Sequence, residues 1–299
     1  MKILKTLLVT AAVSVAMMAT AHAETKKIAL VVKALGIGFF EAANKGAQEA
    51  AKELGDVEVI YTGPTTTTAE GQIEVINSLI AQKVDAIAVS ANDTDALVPA
   101  LKKAMERDLR RIRPPDVDAD GGDVAVLSAT ATSTNQNVWI EEMNKVLGNY
   151  KGINVVATVY GDDLADKSYR ETQGLIQSHP DLKAIIAPTS VGIVAAAQAV
   201  TDAGKVGQIN VTGLGLPSEK AGHVKSGASK SFAIWNPIDL GYSATMIAYD
   251  LIGGAEAKPG AELKMGRMGT VKLDDNNEGA MADPFVYDAS NVEEFAKIF

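Results

Sequence analysis

Short runs rich in β-branched residues alternate with amphipathic helical stretches along most of this chain, and the alternation restarts once near its middle. Parallel strands need a crossover between neighbours, so this pattern predicts βα units on parallel sheets. The first series reads as strands at Ile28 to Val32, Val57 to Tyr61 and Asp85 to Ser90, with helices beginning near Phe40, Thr68 and Thr94. In the second of these helices Ile73, Ile76 and Leu79 form one apolar stripe. The second series has strands at Val124 to Ser128, Val155 to Tyr160, Ala184 to Pro188 and Asn210 to Leu214. Two series predict two similar domains. A last strand, Ser231 to Trp235, meets Asn236-Pro237, where asparagine can cap and proline can open a helix over Ile238 to Ile252. That junction suits an interdomain crossing or an ordinary βα turn, and periodicity does not separate them. The tail from Lys272 reads as polar and irregular, closing with a short helix from Val292 to Ile298.

The first residues carry an export signal. Lys2 and Lys5 form the charged start, Leu7 to Met18 the apolar core, and Ala21-His22-Ala23 a small-x-small cleavage site. The mature chain is expected to begin at Glu24 and to lie in the periplasm. The apolar core is shorter than the ~20 residues that span a bilayer, which argues against a retained anchor. With no cysteine, there is no lipid-anchoring thiol, no disulfide framework and no thiolate chemistry. Losing Lys2 and Lys5 leaves 26 basic residues against 37 acidic ones, a net charge of -11. Such a surface repels nucleic acid.

The stretch Ile28 to Phe40, IALVVKALGIGFF, runs an apolar strand through a glycine turn to two adjacent aromatics before a helix. Strands apolar throughout belong to sheets covered on both faces, and ligands of such sheets lie beyond the strands' carboxyl ends. Phe39 and Phe40 therefore stand where a ligand would sit. A dinucleotide turn would need a third glycine three residues after Gly38, and that residue is Glu41. The stretch is not a nucleotide site.

One segment breaks the pattern: DLRRIRPPDVDADGG, Asp108 to Gly122. The chain has 22 lysines and 6 arginines, yet Arg107, Arg110, Arg111 and Arg113 fall within seven residues, followed by Pro114-Pro115 and alternating aspartates. Arginine-, proline- and aspartate-rich text inside a lysine-rich chain reads as an aberrant junction. The plain alternative is a charged surface loop or interdomain linker. The aspartate spacing lacks the glycine and closing glutamate of a calcium loop, so no metal is assigned.

Several longer phrases carry a resemblance: KALGIGFFEAANKGAQEAAKELG (Lys33 to Gly55), TGPTTTTAEGQIEVINSLI (Thr62 to Ile80), STNQNVW (Ser133 to Trp139), IIAPTS (Ile185 to Ser190) and FAIWNPIDLG (Phe232 to Gly241). On these the chain resembles periplasmic sugar-binding proteins of ABC importers, nearest the rhamnose-binding and autoinducer-2-binding members. The resemblance implies the type I periplasmic binding fold, α/β, with two Rossmann-like lobes on parallel sheets. The implied lobes are residues 24–121 plus 237–275, and 122–236 plus 276–299, after a signal peptide over 1–23. It also implies a missing unit near residues 108–122, because members continue there into a strand ending Trp-Asp-Ser, a crossing and another helix. Gly215 stands where many pyranose and ribose binders carry an aspartate.

The implied chemistry is hydroxyl recognition, with side-chain donors and acceptors on one part of a sugar and apolar surface on its C–H faces. Phe39 and Phe40 suit stacking, or plain core packing. Lys33, polar at the end of an apolar strand, can donate to a sugar oxygen, or be solvated. Ser90 falls on a sugar-contacting position of the family, while Asn92 and Asp93 are expected to cap the next helix. Asn135 and Gln136 replace a charged or amide pair and can donate and accept at once. Pro188, Thr189 and Ser190 end a buried strand at the cleft. Trp235 and Asn236 close the far side, Trp235 with hinge packing as its alternative. No cofactor is expected. The expected partners are a small sugar and the membrane subunits of an ABC importer, with the binder itself a monomer. Gly-x-Ser-x-Gly, His-Glu-x-x-His and Walker motifs are absent from the sequence, so the catalytic alternative is an exported glycoside hydrolase using paired carboxylates. A remnant that no longer folds is the third reading.

Overall fold

A computed structural model describes residues 25–94, 96–97, 121–150, 152–275, 277–280 and 282–299. The export signal over 1–23 and all but the last two residues of the 108–122 segment lie outside them.

The first sheet is built from β1 (Lys26–Val31), β2 (Val57–Thr62) and β3 (Ala86–Val89), all parallel, in the order β2-β1-β3. Alternation along β1 sends its side chains to opposite layers. Ala29 and Val31 pack with Ile76 and Leu79 of α2 (Ala69–Ala81), whereas Leu30 and Val32 pack with Phe40 and Ala47 of α1 (Gly38–Leu54). Thr68 caps α2, its side chain accepting from the Gly71 N–H.

The second sheet has the parallel order β5-β4-β6-β7, from β4 (Gly122–Ser128), β5 (Ile153–Tyr160), β6 (Leu182–Ala187) and β7 (Asn210–Gly213). One face, with Ala125, Leu127 and Ile185, meets α4 (Ala165–Ser178), α5 (Ser190–Asp202) and α6 (Pro217–Lys225). The other, with Val124, Val126 and Ile186, meets Met143 and Leu147 of α3 (Thr134–Leu147).

After β8 (Ser231–Ile234) the chain returns to the first sheet. Asn236 caps α7 (Pro237–Ile252), accepting from the Ile238 N–H at 3.0 Å, with Pro237 in the first turn. α7 lies on α1 with backbones nearly touching. A Cβ at Gly46 would overlap the Ile238 carbonyl, and one at Gly241 the Ala43 carbonyl. The hairpin β9 (Glu262–Lys264) and β10 (Thr270–Lys272) covers the same layer, where Leu263, Met265, Val271 and Leu273 pack against Ile247 of α7.

The tail corrects one expectation. It is not irregular from Lys272: β11 (Phe285–Asp288) pairs antiparallel with β8, and α8 (Val292–Phe295) follows. Tyr287 and Val292 join the core of the second sheet, so tertiary burial decides a strand that a polar stretch conceals. Among the described residues no helix is long and apolar enough to cross a membrane.

Candidate functional site

Both sheets point their carboxyl ends at one cleft, as parallel α/β topology dictates. From the first come Lys33 after β1, Phe39 and Phe40 at the start of α1, and Ser90 after β3. From the second come Asn135, Gln136 and Trp139 on α3, Asp163 after β5, Pro188, Thr189 and Ser190 after β6, and Leu214 after β7. Trp235 follows β8, and Ala280 and Ala282 arrive from the tail. Together they enclose about 140 Å³. At about 10–15 Å³ per water, this is room for roughly ten non-hydrogen atoms, one sugar ring rather than two.

The polar groups are mostly held by the protein and leave one end each for a ligand. The Lys33 ammonium donates across the cleft to Asn135 Oδ1 at 2.9 Å and to Ser133 Oγ at 3.3 Å. Gln136 Oε1 accepts from Ser128 Oγ at 2.8 Å and from the Ala129 N–H at 2.7 Å, which joins the end of β4 to the first turn of α3. Thr189 Oγ1 accepts from the Gly192 N–H, capping α5, and donates to Asp163 Oδ1 at 2.5 Å. Asp162 and Asp163 both adopt left-handed backbone, with φ of 55° and 52°, a costly conformation for non-glycine residues that concentrates at functional sites. Asp162 pairs with Lys167 at 2.6 Å, and Asp163 faces the cavity.

Burial pushes the Lys33 amine down to about 8, with the Asp163 carboxylate opposing the shift. The Asp163 carboxyl is pushed up by burial, against the Thr189 hydrogen bond and the Lys33 charge. These opposite charges belong to different sheets and make no ion pair with each other. The remaining wall is apolar: Phe39 and Phe40 meet edge to face with ring centroids 5.4 Å apart, and Trp139 lies against Trp235 at 5.6 Å.

Every residue nominated from sequence lines this cavity except Asn236. Its amide accepts from Ile238 and donates to Asp239 Oδ2 at 2.7 Å, so in this structure it caps α7 and does not line the cavity. Asp93 caps as expected, accepting from the Ala96 N–H. Asn92 does not; it donates to the carbonyls of Lys33 and Thr68 and ties two cleft loops together. The sequence reading missed Asp163 and Trp139. Trp139 lies one helical turn beyond Asn135, a spacing open to inspection. The signal for Asp163 was a Gly-Asp-Asp turn at a strand's carboxyl end.

Residues 28–110 and 115–256 match the periplasmic binding protein domain family, with the break inside the arginine and proline segment. A D-ribose/D-allose-binding protein of Pseudomonas aeruginosa is 27% identical over 251 residues, covering 71% of this chain and 78% of that protein. A solved ABC transporter solute-binding protein of Clostridium phytofermentas with bound L-rhamnose is 31% identical, with a TM-score of 0.83 over 93% of this chain and 100% of that one. LsrB of Clostridium saccharobutylicum in complex with AI-2 shares the fold at 22% identity, with a TM-score of 0.80 over 90% of this chain and 98% of that one.

Proposed function

Because the chain belongs to the periplasmic binding protein family, we propose that it captures a neutral monosaccharide, L-rhamnose or a similar deoxysugar, and delivers it to an ABC importer. The observation that carries this reading is the two-sided cavity. Lys33 and Asp163 approach from opposite sheets, amide groups of Asn135 and Gln136 lie beside them, and the other walls are aromatic or aliphatic. Hydroxyls can meet the first set, and a C–H face with a methyl the second. One buried cation and one carboxyl leave the cavity near neutrality, which disfavours sugar acids and phosphates. The 31% identity to an L-rhamnose-bound protein supports the same choice. Autoinducer-2 is the second small polyol to test.

The lobes are residues 24–121 with 237–275, and 122–236 with 276–299; the packing of α7 on α1 and the pairing of β11 with β8 support the division. Export with cleavage before Glu24, and a monomeric binder, complete the reading. Glycoside hydrolysis needs two carboxyl groups about the bond, and among the described residues Asp163 is the one carboxyl lining the cavity.

A thermal-shift screen tests this against L-rhamnose, other deoxyhexoses, ribose, allose and autoinducer-2. A ligand at 100 times its dissociation constant adds about 2.7 kcal/mol of stability. A raised midpoint with a neutral deoxysugar is expected. No shift with any sugar, in a protein that melts cooperatively, would overturn it.

A further inference from the structure

The cavity is separated from an open groove of about 550 Å³ by a thin seam. Ile37 and Ser190 line both spaces. At this seam Phe39 packs against the cores of both lobes, and Val191 of α5 reaches the core behind α1. Gly38, the first residue of α1, sits under α6. A Cβ added there would lie 2.8 Å from Glu219 Oε1 and 3.1 Å from Leu216 Cδ1. The φ of Gly38 is not in the left-handed region, so its backbone does not demand glycine. What crowds a side chain there is the approach of the other lobe.

We infer that Gly38, with Leu216 and Glu219 opposite, is the seam that sets how far the two lobes close, and so positions the binding residues without touching the ligand. Ile37 gives α1 no side-chain cap. A carboxylate near that end therefore favours contact as well as filling it. Leu216 is buried in the second core and cannot retreat, whereas Glu219 is exposed on its groove side and can swing away. α6 is itself fixed, since the Ser218 N–H donates to the Phe299 carbonyl at 3.1 Å. Affinity falls in proportion to the closed, competent fraction, so a side chain at 38 should weaken binding in steps with its size.

The inference rests on the proposed sugar-binding reading only for its affinity arm. Gly38→Ala should bind about three- to tenfold more weakly and Gly38→Val more than tenfold. Adding Glu219→Ala should recover part of the alanine variant's loss relative to Glu219→Ala alone, because Leu216 still crowds the added Cβ, and should recover less in the valine variant, whose methyls meet Leu216. Unliganded melting should hold or rise in Gly38→Ala, because alanine suits a helix better than glycine. The chain has no cysteine, so single cysteines at Gln82 and Gln173 can carry a distance-reporting label pair. The distances are read with and without sugar. Longer interlobe distances in Gly38→Ala and longer still in Gly38→Val are expected. Identical distances in wild type and both variants would overturn the seam, even if no sugar binds and the functional reading fails separately.

Discussion

The two lobes reach the same architecture with different reserves. In the first, β1 is buried while its neighbours β2 and β3 are largely half-buried, and the core is split into separate clusters on the two faces. Its outer layer comes from α7, nearly two hundred residues downstream of α1, fitted through Gly46 and Gly241. In the second lobe β4 and β6 are both buried; its core is also divided between the two faces, but the larger cluster runs from β4 through β11. The first lobe therefore depends on a backbone fit that tolerates no added atom. The second leans on its larger apolar cluster, and it carries a buried charge-bearing group inside it. Lys220 is fully buried, its amine has no hydrogen-bond partner, and it lies 5.9 Å from the Phe232 ring centre.

The sharpest way to break this comparison is Gly241→Ala. The overlapping atom is a backbone carbonyl, so the helices must separate, at a cost of about 3 kcal/mol or more. Hydrogen exchange should rise in α1 and α7 and stay low in β4 and β6. Equal loss across both lobes would show that they unfold as one unit.

Lys220→Met should act in the opposite direction. Burial pushes the Lys220 amine down to about 7 from 10.5. Between those values the unfolded chain holds the proton and the folded chain does not, so stability rises with pH through that window. Below about 7 the folded lobe carries a buried ammonium and the penalty is complete. The methionine variant should be more stable by several kcal/mol at pH 6, with the advantage fading toward pH 10. A pH-independent difference in denaturation midpoints would contradict this account of Lys220.

Gln136→Ala tests the cleft end of the second lobe. It removes the acceptor for Ser128 and Ala129 as well as a candidate ligand group, so stability and sugar affinity should each fall by about 1–2 kcal/mol. Calorimetry and melting together separate the two losses. The smallest effect belongs to Asn236→Ala, about 1 kcal/mol of stability from the lost cap, with affinity unchanged because the side chain does not line the cavity. Weakened affinity there would return Asn236 to the site.

Much of this was legible in the sequence, for physical reasons. Strands buried on both faces, such as Ile28 to Val31 and Ala184 to Ala187, announce themselves as apolar runs, and their carboxyl ends locate Lys33, Pro188 and Thr189 without any structure. Thr68 and Asn236-Pro237 mark helix starts through local capping chemistry. What stayed hidden depends on distant contacts. Phe285–Asp288 becomes a strand because β8 offers it an edge. Of two adjacent aspartates, Asp163 faces the cleft because Lys167 takes Asp162. Ala280 and Ala282 carry no chemistry that sequence could flag, yet the Trp235 indole donates to the Ala282 carbonyl at 2.9 Å and holds that strand of tail against the cavity.

Both tryptophans of the chain line the cavity, so their emission reports its contents directly. The decisive measurement is a fluorescence titration of the wild type, Asp163→Ala and Asn135→Ala with L-rhamnose and its relatives. The account predicts a saturable change with a neutral deoxysugar, weakened about fivefold or more in each variant, as an unpaired hydroxyl at about 1–3 kcal/mol requires. Unaltered emission at saturating sugar, or wild-type affinity in both variants, would contradict the claim that this cavity, held between Lys33 and Asp163, is where the sugar binds.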